Sequence, residues 1–253
     1  MVAARAYRIM STLPCPQYCR SPTPPARAAA RKASAKAPPS SKRSSVDGLI
    51  DALVARAQKH AEATGASLQA EPGLTDAQID AVAKSIKPHF GSFEFAPSPS
   101  YRAFLRKHGG IYATGGDFHP DAFAILGPAD IKTDARDLVH VPRGVEWETE
   151  AGEPCQITTN HLVPFASADS EARWCFCTDA AGPDGELPVY YHHQDEPRCA
   201  KDAKTGAWIN PSAKKPAYRS FPEWLRAYVE AFCEGERLRD AGVDAGRRGL
   251  GVD

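Results

Sequence analysis

Cys175, Cys177 and His192 are the residues of this sequence whose types and spacing could do chemistry. The two cysteines lie two positions apart in the segment HLVPFASADSEARWCFCTD, residues 161–179, and His192 follows in PVYYHH, residues 188–193. A cysteine acts as a nucleophile when its thiol pKa is lowered and a base lies within hydrogen-bond distance. A neighbouring strand could bring His192 close enough to be that base. One hypothesis is therefore a cysteine- or metal-dependent enzyme that uses these three residues.

A zinc site would need further ligands from elsewhere in the chain, because zinc is usually held by about four side chains. The residues that could be added are His161, His193 and Cys199, but none of the candidates stands in a C-x2-C or H-x3-H relation to another. The sequence also lacks a Ser-His-Asp order, a phosphate-binding glycine loop and a paired-carboxylate motif. These patterns predict no metal, no cofactor and no catalytic residue.

The alternation of side chains along a strand gives the cysteine segment a second interpretation. If RWCFCT, residues 173–178, is a strand, Trp174 and Phe176 lie on one face while Cys175 and Cys177 lie on the other. Because both faces are then largely apolar, the segment is predicted to be a central strand. Its thiols would be buried and would pack as small hydrophobic groups.

Two polar features border this strand and its expected neighbour. Asp179 follows the strand directly, and we expect it to cap the turn around Gly182 by accepting backbone N–H groups. His192 and His193 end the next apolar run, and we expect both to be exposed. Each of these residues is predicted to have a structural role.

Helical patterns precede the strands, and one more follows them. The apolar residues from Leu49 to Ala57 recur at helical spacing, and Thr75-x-x-Gln78 forms a capping box that begins a second helix. PSYRAFLRKHGG, residues 99–110, predicts a third helix that ends at a left-handed glycine cap. SFPEWLRAYVEAFCEG, residues 220–235, predicts the last helix, with Ser220 as its N-cap.

Short apolar runs separated by turn residues predict strands after residue 110. They are FAIL at 123–126, LVPFA at 162–166, RWCFCT at 173–178 and PVYYHH at 188–193. Pro164 indicates an edge, a bulge or a strand start, because proline cannot donate to a ladder. Residues 181–187, AGPDGEL, are predicted to form a turn. The predicted fold class is α+β, a mainly antiparallel sheet with N-terminal helices and a C-terminal helix packed around it.

Composition divides the chain into three predicted parts. Residues 1–45 are rich in Ala, Pro and Ser and carry nine Lys and Arg but no acid, which predicts a disordered basic arm that could include an alternative start at Met10. Residues 46–235 are predicted to form one α+β domain, and residues 236–253 a flexible tail. From residue 46 onward, 22 basic residues stand against 31 acidic ones, a net charge of about −9.

These totals exclude several classes of function. Sequence-independent binding of nucleic acid needs clustered positive charge, so direct nucleic-acid binding is not expected for the acidic body. A basic protein partner is favoured instead. The seven cysteines are odd in number and irregularly spaced, which is typical of a reducing, cytoplasmic compartment. The apolar runs are shorter than the ~20 residues of a membrane-spanning helix, so no membrane association is expected.

The order of the motifs resembles the SUKH superfamily, which includes bacterial toxin-immunity proteins and fungal cell-wall regulators. The resemblance covers about residues 74–232 and depends on six short motifs in sequence: LTDAQIDAVAKSI, SPSYRAFLRKHGG, LVPFA, WCFCTD, PVYYHH and SFPEWLRAYVE. The chain departs from the family where SADSEARW follows the PFA strand in place of Gly and Asp. Residues 133–160 also align with nothing in the family.

The resemblance implies an α+β fold and a non-enzymatic protein-binding function. By this resemblance the chain would neutralise a toxin, such as one that targets nucleic acid, or would regulate another protein through the same surface. A basic toxin domain would be attracted by the acids expected in loops, which are Asp169, Glu171, Asp184, Glu186, Asp195 and Glu196. The enzyme hypothesis and an uncharacterised scaffold role remain the alternatives.

Overall fold

The structure is a computed structural model that describes residues 40–86, 95–115, 123–141, 145–149 and 151–235, with side chains from residue 46 onward. The predictions for residues 1–39, for the tail 236–253 and for Pro88 lie outside the described residues. Helix α1 begins at Ser40, so the last residues of the predicted arm are helical. None of the helices in the described ranges has the length and apolar character that a membrane-spanning helix requires.

The predicted α+β fold class is confirmed by five α-helices and two antiparallel sheets within these ranges. The helices are α1 (Ser40–Ala63), α2 (Asp76–Ser85), α3 (Pro99–Lys107), α4 (Pro128–Asp134), which continues into a π-helical turn (Ala135–Val139), and α5 (Phe221–Glu234), preceded by a 3-10 turn (Pro211–Lys214). The strands are β1 (Ser67–Pro72), β2 (His108–Thr114), β3 (Ala124–Ile125), β4 (Glu146–Glu148), β5 (Pro154–Thr158), β6 (Leu162–Ser167), β7 (Ala172–Cys177), β8 (Val189–His193) and β9 (Lys201–Asp202).

The larger sheet has the strand order β1-β2-β3-β6-β7-β8, and the smaller sheet has the order β4-β5-β9. Strand β7 lies between β6 and β8, so the prediction that it is a central strand is confirmed. Pro164 is accommodated at a bulge, because the β6–β7 register shifts between Pro164 and Ala166. The proline thus lies inside a paired strand at a point where the ladder between β6 and β7 is already irregular.

The ends of the helices agree with the sequence signals in two places. Thr75 and Gln78 form the predicted capping box at α2, and Ser220 accepts the backbone N–H of Glu223 at the start of α5. Gly235 ends α5 in the left-handed conformation, with φ of 71°. The two N-terminal caps are decided by contacts between residues close in the sequence, which is why the sequence alone predicts them.

The predicted glycine cap at the end of α3 is wrong. The helix ends at His108 with extended backbone, and Gly109 and Gly110 lie within strand β2. A Cβ atom on Gly109 would lie 2.6 Å from the carbonyl oxygen of Pro72, and one on Gly110 would lie 2.8 Å from the backbone nitrogen of Gly127. Both glycines are therefore explained by close approach of other backbone segments to β2.

The central strands β6 and β7 of the larger sheet are buried on both faces. Trp174 and Phe176 on β7 belong to the main hydrophobic core, which includes Phe165 on β6 and Trp224 on α5. On the opposite face, a smaller cluster joins Val139 of the π-helical turn to five further residues: Leu162, Cys175, Cys177, Tyr190 and Cys199. The predicted two-sided burial of β7 is thus confirmed, and the smaller cluster contains the thiols.

Candidate functional site

Strands β7 and β8 bring the predicted chemical residues together on one face of the larger sheet. Cys175 pairs with Tyr190, and Arg173 pairs with His192. Residues that pair directly across two strands have side chains on the same face, so Cys175, Cys177 and His192 share the face that carries the smaller cluster. The sequence therefore located a real side-chain group, and its contacts determine what chemistry it can do.

Both thiols on this face are held in their protonated form. The Cys175 thiol donates to the carbonyl oxygen of Arg173 at 3.8 Å, and the Cys177 thiol donates to the carboxylate of Asp179 at 3.0 Å. Burial raises the pKa of Cys175 and of Cys177, and the hydrogen bond to Asp179 raises the pKa of Cys177 further. Because a nucleophilic cysteine needs a lowered pKa, this arrangement disfavours thiolate chemistry.

The expectation that His192 is exposed is wrong, since 1% of the residue is accessible to solvent. Its Nε2 lies 3.2 Å from the carbonyl oxygen of Leu138 in the π-helical turn, which covers this face of β8. Burial lowers the pKa of His192 to about 4, so the imidazole is neutral at physiological pH. Sequence alone could not show this, because the covering segment lies more than fifty residues away along the chain.

Asp179 forms an ion pair where a turn cap was expected. Its carboxylate accepts one hydrogen bond from Lys201 Nζ, at 2.5 Å, and a second one from the Cys177 thiol. Burial acts to raise the pKa of Asp179, but the hydrogen bonds from Cys177 and Lys201 outweigh it and the pKa is lowered. Lys201 also lies 4.8 Å from the ring centroid of Trp208, within cation–π distance. The contacts tie the turn after β7 to strand β9.

His161 is a second buried histidine near this ion pair. Its Nε2 lies 3.0 Å from the carbonyl oxygen of Cys199, and its ring meets the edge of the Trp208 ring at a centroid distance of 5.3 Å. Burial and the nearby Lys201 lower the pKa of His161 to about 4. Over the residues that the structure describes, no three His, Cys, Asp or Glu side chains are grouped so that they could hold a metal ion.

The sequence analysis missed a buried ion pair between Arg173 and Asp134. Arg173 Nε donates to Asp134 Oδ2, and 11% and 14% of the two side chains are accessible. Arg173 also donates to the backbone oxygen of Asp169 at 2.5 Å, so it links the end of α4 to the β6–β7 turn. An arginine in an otherwise apolar strand was the available signal for a buried partner.

Four of the six predicted partner-binding acids lie near one end of β7, and we call them the β7-start acids. They are Asp169, Glu171, Asp195 and Glu196. Antiparallel pairing of Ala172 with His193 places the residue before β7 beside the residues after β8. Glu171 is 3.6 Å from His193, and Glu196 is 2.9 Å from Arg198. Both of these ion pairs are partly or largely exposed, so the carboxylates face solvent.

The other two predicted acids lie at the opposite end of β7, in the β7–β8 loop. Asp184 is exposed and accepts the backbone N–H of Glu186 at 3.2 Å. Glu186 accepts the backbone N–H of Ser100 at 2.9 Å and its hydroxyl at 2.5 Å. A carboxylate that contacts the first turn of a helix satisfies N–H groups that have no partner within the helix, so Glu186 has a structural role at the start of α3. A six-residue strand spans about 17 Å, which separates these acids from the β7-start acids.

The buried thiols should resist alkylation in the native protein. Cys175, Cys177 and Cys199 are expected to react with iodoacetamide at least ~100-fold more slowly than the partly exposed Cys155 and Cys233, because burial limits access and keeps the thiols protonated. Mass-spectrometric mapping of the alkylated peptides, before and after unfolding in urea, measures the difference. Rapid native labelling of Cys175 or Cys177 would revive the enzyme hypothesis.

The chain matches no protein-family model, and no curated protein is significantly similar to it. The resemblance to the SUKH superfamily therefore stays an expectation that depends on the order of short motifs.

Proposed function

We propose that the chain is a non-enzymatic protein-binding domain of the SUKH type that neutralises a basic toxin domain. The observation that carries the proposal is charge: residues 46–253 have a net charge of about −9. The β7-start acids present part of this charge at one end of the larger sheet. An acidic surface of this kind speeds the encounter with a basic protein and selects against acidic ones.

The chemistry of the smaller cluster supports a binding role over the enzyme alternative. The two thiols on β7 are buried and protonated, and their polar partners are a backbone oxygen and a carboxylate. His192 contacts a backbone oxygen through Nε2. Each of these groups thus has a partner within the fold and is buried, whereas the exposed carboxylates of Glu171, Asp195 and Glu196 lie where another molecule can reach them.

Association with a toxin encoded beside this chain is expected to slow at least tenfold between low and high salt, because screening removes long-range attraction. Reversing the β7-start acids to lysine should slow association similarly at low salt. A matched control reverses four acids on helices α1 and α5: Asp47, Glu62, Glu230 and Glu234. Stopped-flow or surface-plasmon measurements give the rates.

The control variant has the same total charge as the β7-start variant, so it separates a local surface from the overall charge of the body. Equal slowing in the two variants would show that only the net charge matters. Association that is insensitive to salt would remove the electrostatic basis of the proposal. Failure to bind any neighbouring toxin would overturn the proposed function itself.

A further inference from the structure

Strand β4 forms an edge of the smaller sheet, and its hydrogen-bonding pattern shows which groups point outward. Ile157 donates its backbone N–H to Val145, and Thr149 donates to Glu153. Trp147 pairs with Cys155 between these two contacts. In an antiparallel ladder, hydrogen-bonded and non-hydrogen-bonded pairs alternate. The backbone N–H and C=O groups of the two intervening residues, Glu146 and Glu148, therefore point away from β5.

The side chains of β4 divide into a charged face and an aromatic face. Glu146 and Glu148 are exposed on one face, and Glu153 is exposed in the turn that follows. Of the ion pairs between described residues, none involves these three carboxylates. Trp147 lies on the other face with Cys155 and is half-buried. An incoming strand would thus meet acids on one side and an indole on the other.

The remaining edges of the two sheets, among the residues described, are protected. Strand β1 has a register shift before Pro72, which interrupts its edge. Strand β8 is covered where Val189 donates to Tyr218 and where the Cys199 thiol donates to Tyr191. Lys201 of strand β9 forms an antiparallel bridge with Trp208. Over the residues that the structure describes, no bridge or bulge blocks the outward backbone groups of Glu146 and Glu148. The protection of β4 is its short length and its two exposed carboxylates, which disfavour pairing with any strand that is not basic.

We propose that the edge of β4 receives an extended basic segment of the protein partner as an added strand. The added strand would bond to the backbone of Glu146 and Glu148, its Lys or Arg residues would face the carboxylates of these two residues, and its alternate apolar residues would pack near Trp147. Charge complementarity selects this occupant, since a neutral or acidic strand would leave the carboxylates without partners. The inference rests on the proposed function and names the surface that holds the partner.

A short peptide of alternating lysine and valine is the probe for this edge. The wild-type chain is expected to bind the peptide, and the backbone amides of Glu146 and Glu148 should gain protection from hydrogen exchange. A peptide of alternating glutamate and valine should not bind. Glu148→Pro should weaken binding of the basic peptide at least about tenfold, because it removes one outward N–H and leaves the Trp147–Cys155 pairing intact.

Glu148→Gln is the matched control, since it keeps the outward N–H and removes only the charge. Its loss of affinity should be smaller than that of the proline variant and should vanish at high salt. Circular dichroism and thermal melts establish that both variants fold. A double variant, Glu146→Lys with Glu148→Lys, should abolish binding of the basic peptide without altering the backbone groups.

The outcomes separate this inference from the proposed function. If the basic peptide does not bind, or binds without protecting the amides of Glu146 and Glu148, the edge inference is wrong. If Glu148→Pro neutralises a neighbouring toxin as well as the wild-type chain does, the edge inference is wrong and the proposed function stands. If the peptide binds at β4 while no neighbouring toxin binds anywhere, the edge is supported and the proposed function fails.

Discussion

The free energy of unfolding is expected to be about 4 kcal/mol lower at pH 5 than at pH 8, because His161 and His192 must stay neutral in the folded state. Both histidines are buried, and burial lowers the pKa of each from its ordinary 6.5 to about 4. Each contributes about 2 kcal/mol of the difference at pH 5. Chemical denaturation across this pH range measures the change.

The sign follows from where the protons bind. The unfolded chain takes up protons on both histidines near pH 6.5, whereas the folded chain takes them up only near pH 4. The stability is therefore complete above pH 6.5 and is lost as the pH falls from 6.5 towards 4. Neighbouring ionisable groups contribute to both pKa shifts. Lys201 lowers the pKa of His161, and Asp179 raises it. The pKa of His192 is lowered by three neighbours: His193, His140 and Arg173.

Replacement of the two histidines by glutamine tests the assignment. The variant His161→Gln with His192→Gln keeps a side-chain amide donor and removes the titration, so its stability should change much less between pH 8 and pH 5. The matched control is His193→Gln, on the other face of β8, which should keep most of the wild-type dependence, because burial is the larger cause of the lowered pKa of His192. A double variant with an unchanged pH slope would show that other groups cause the acid sensitivity.

Arg173→Met is expected to destabilise the protein by about 3–5 kcal/mol, because it leaves the Asp134 carboxylate buried without its cation. Asp134→Leu should cost a similar amount for the converse reason. The double variant should destabilise the protein much less than the sum of the two single variants, because it leaves no buried charge without a partner. Urea denaturation of the three variants gives the coupling energy.

A second readout distinguishes loss of the ion pair from loss of packing. Burial raises the pKa of Asp134, and Arg173 partly offsets this. Without the arginine, Asp134 should take up a proton more readily, so the penalty of Arg173→Met should shrink as the pH is lowered. Arg198→Met is the control, because the Arg198–Glu196 pair is exposed and should contribute less than about 1 kcal/mol. Equal costs at the two arginines would contradict the argument.

The extent to which the sequence predicted the fold depended on the range of each signal. The capping box at Thr75, the Ser220 cap and the alternation along β7 all act over a few residues, and all three are confirmed. Gly109 and Gly110 were misinterpreted as a helix cap because their reason lies in Pro72 and Gly127, which approach them through space. Strand β1 is mostly exposed and lacks a clear apolar alternation, so it was missed.

The candidate site shows the same division. The sequence alone determined that Cys175 and Cys177 share one face of a strand and that the body is acidic, because alternation and net charge are properties of the chain itself. Only the tertiary structure decided that His192 is buried, that Asp179 pairs with Lys201, and that β4 is an edge strand of the smaller sheet among the described residues. Each of these three features depends on whether a segment distant in the sequence packs against the strand concerned. Burial and pairing depend on contacts between distant residues, and local sequence patterns do not encode them.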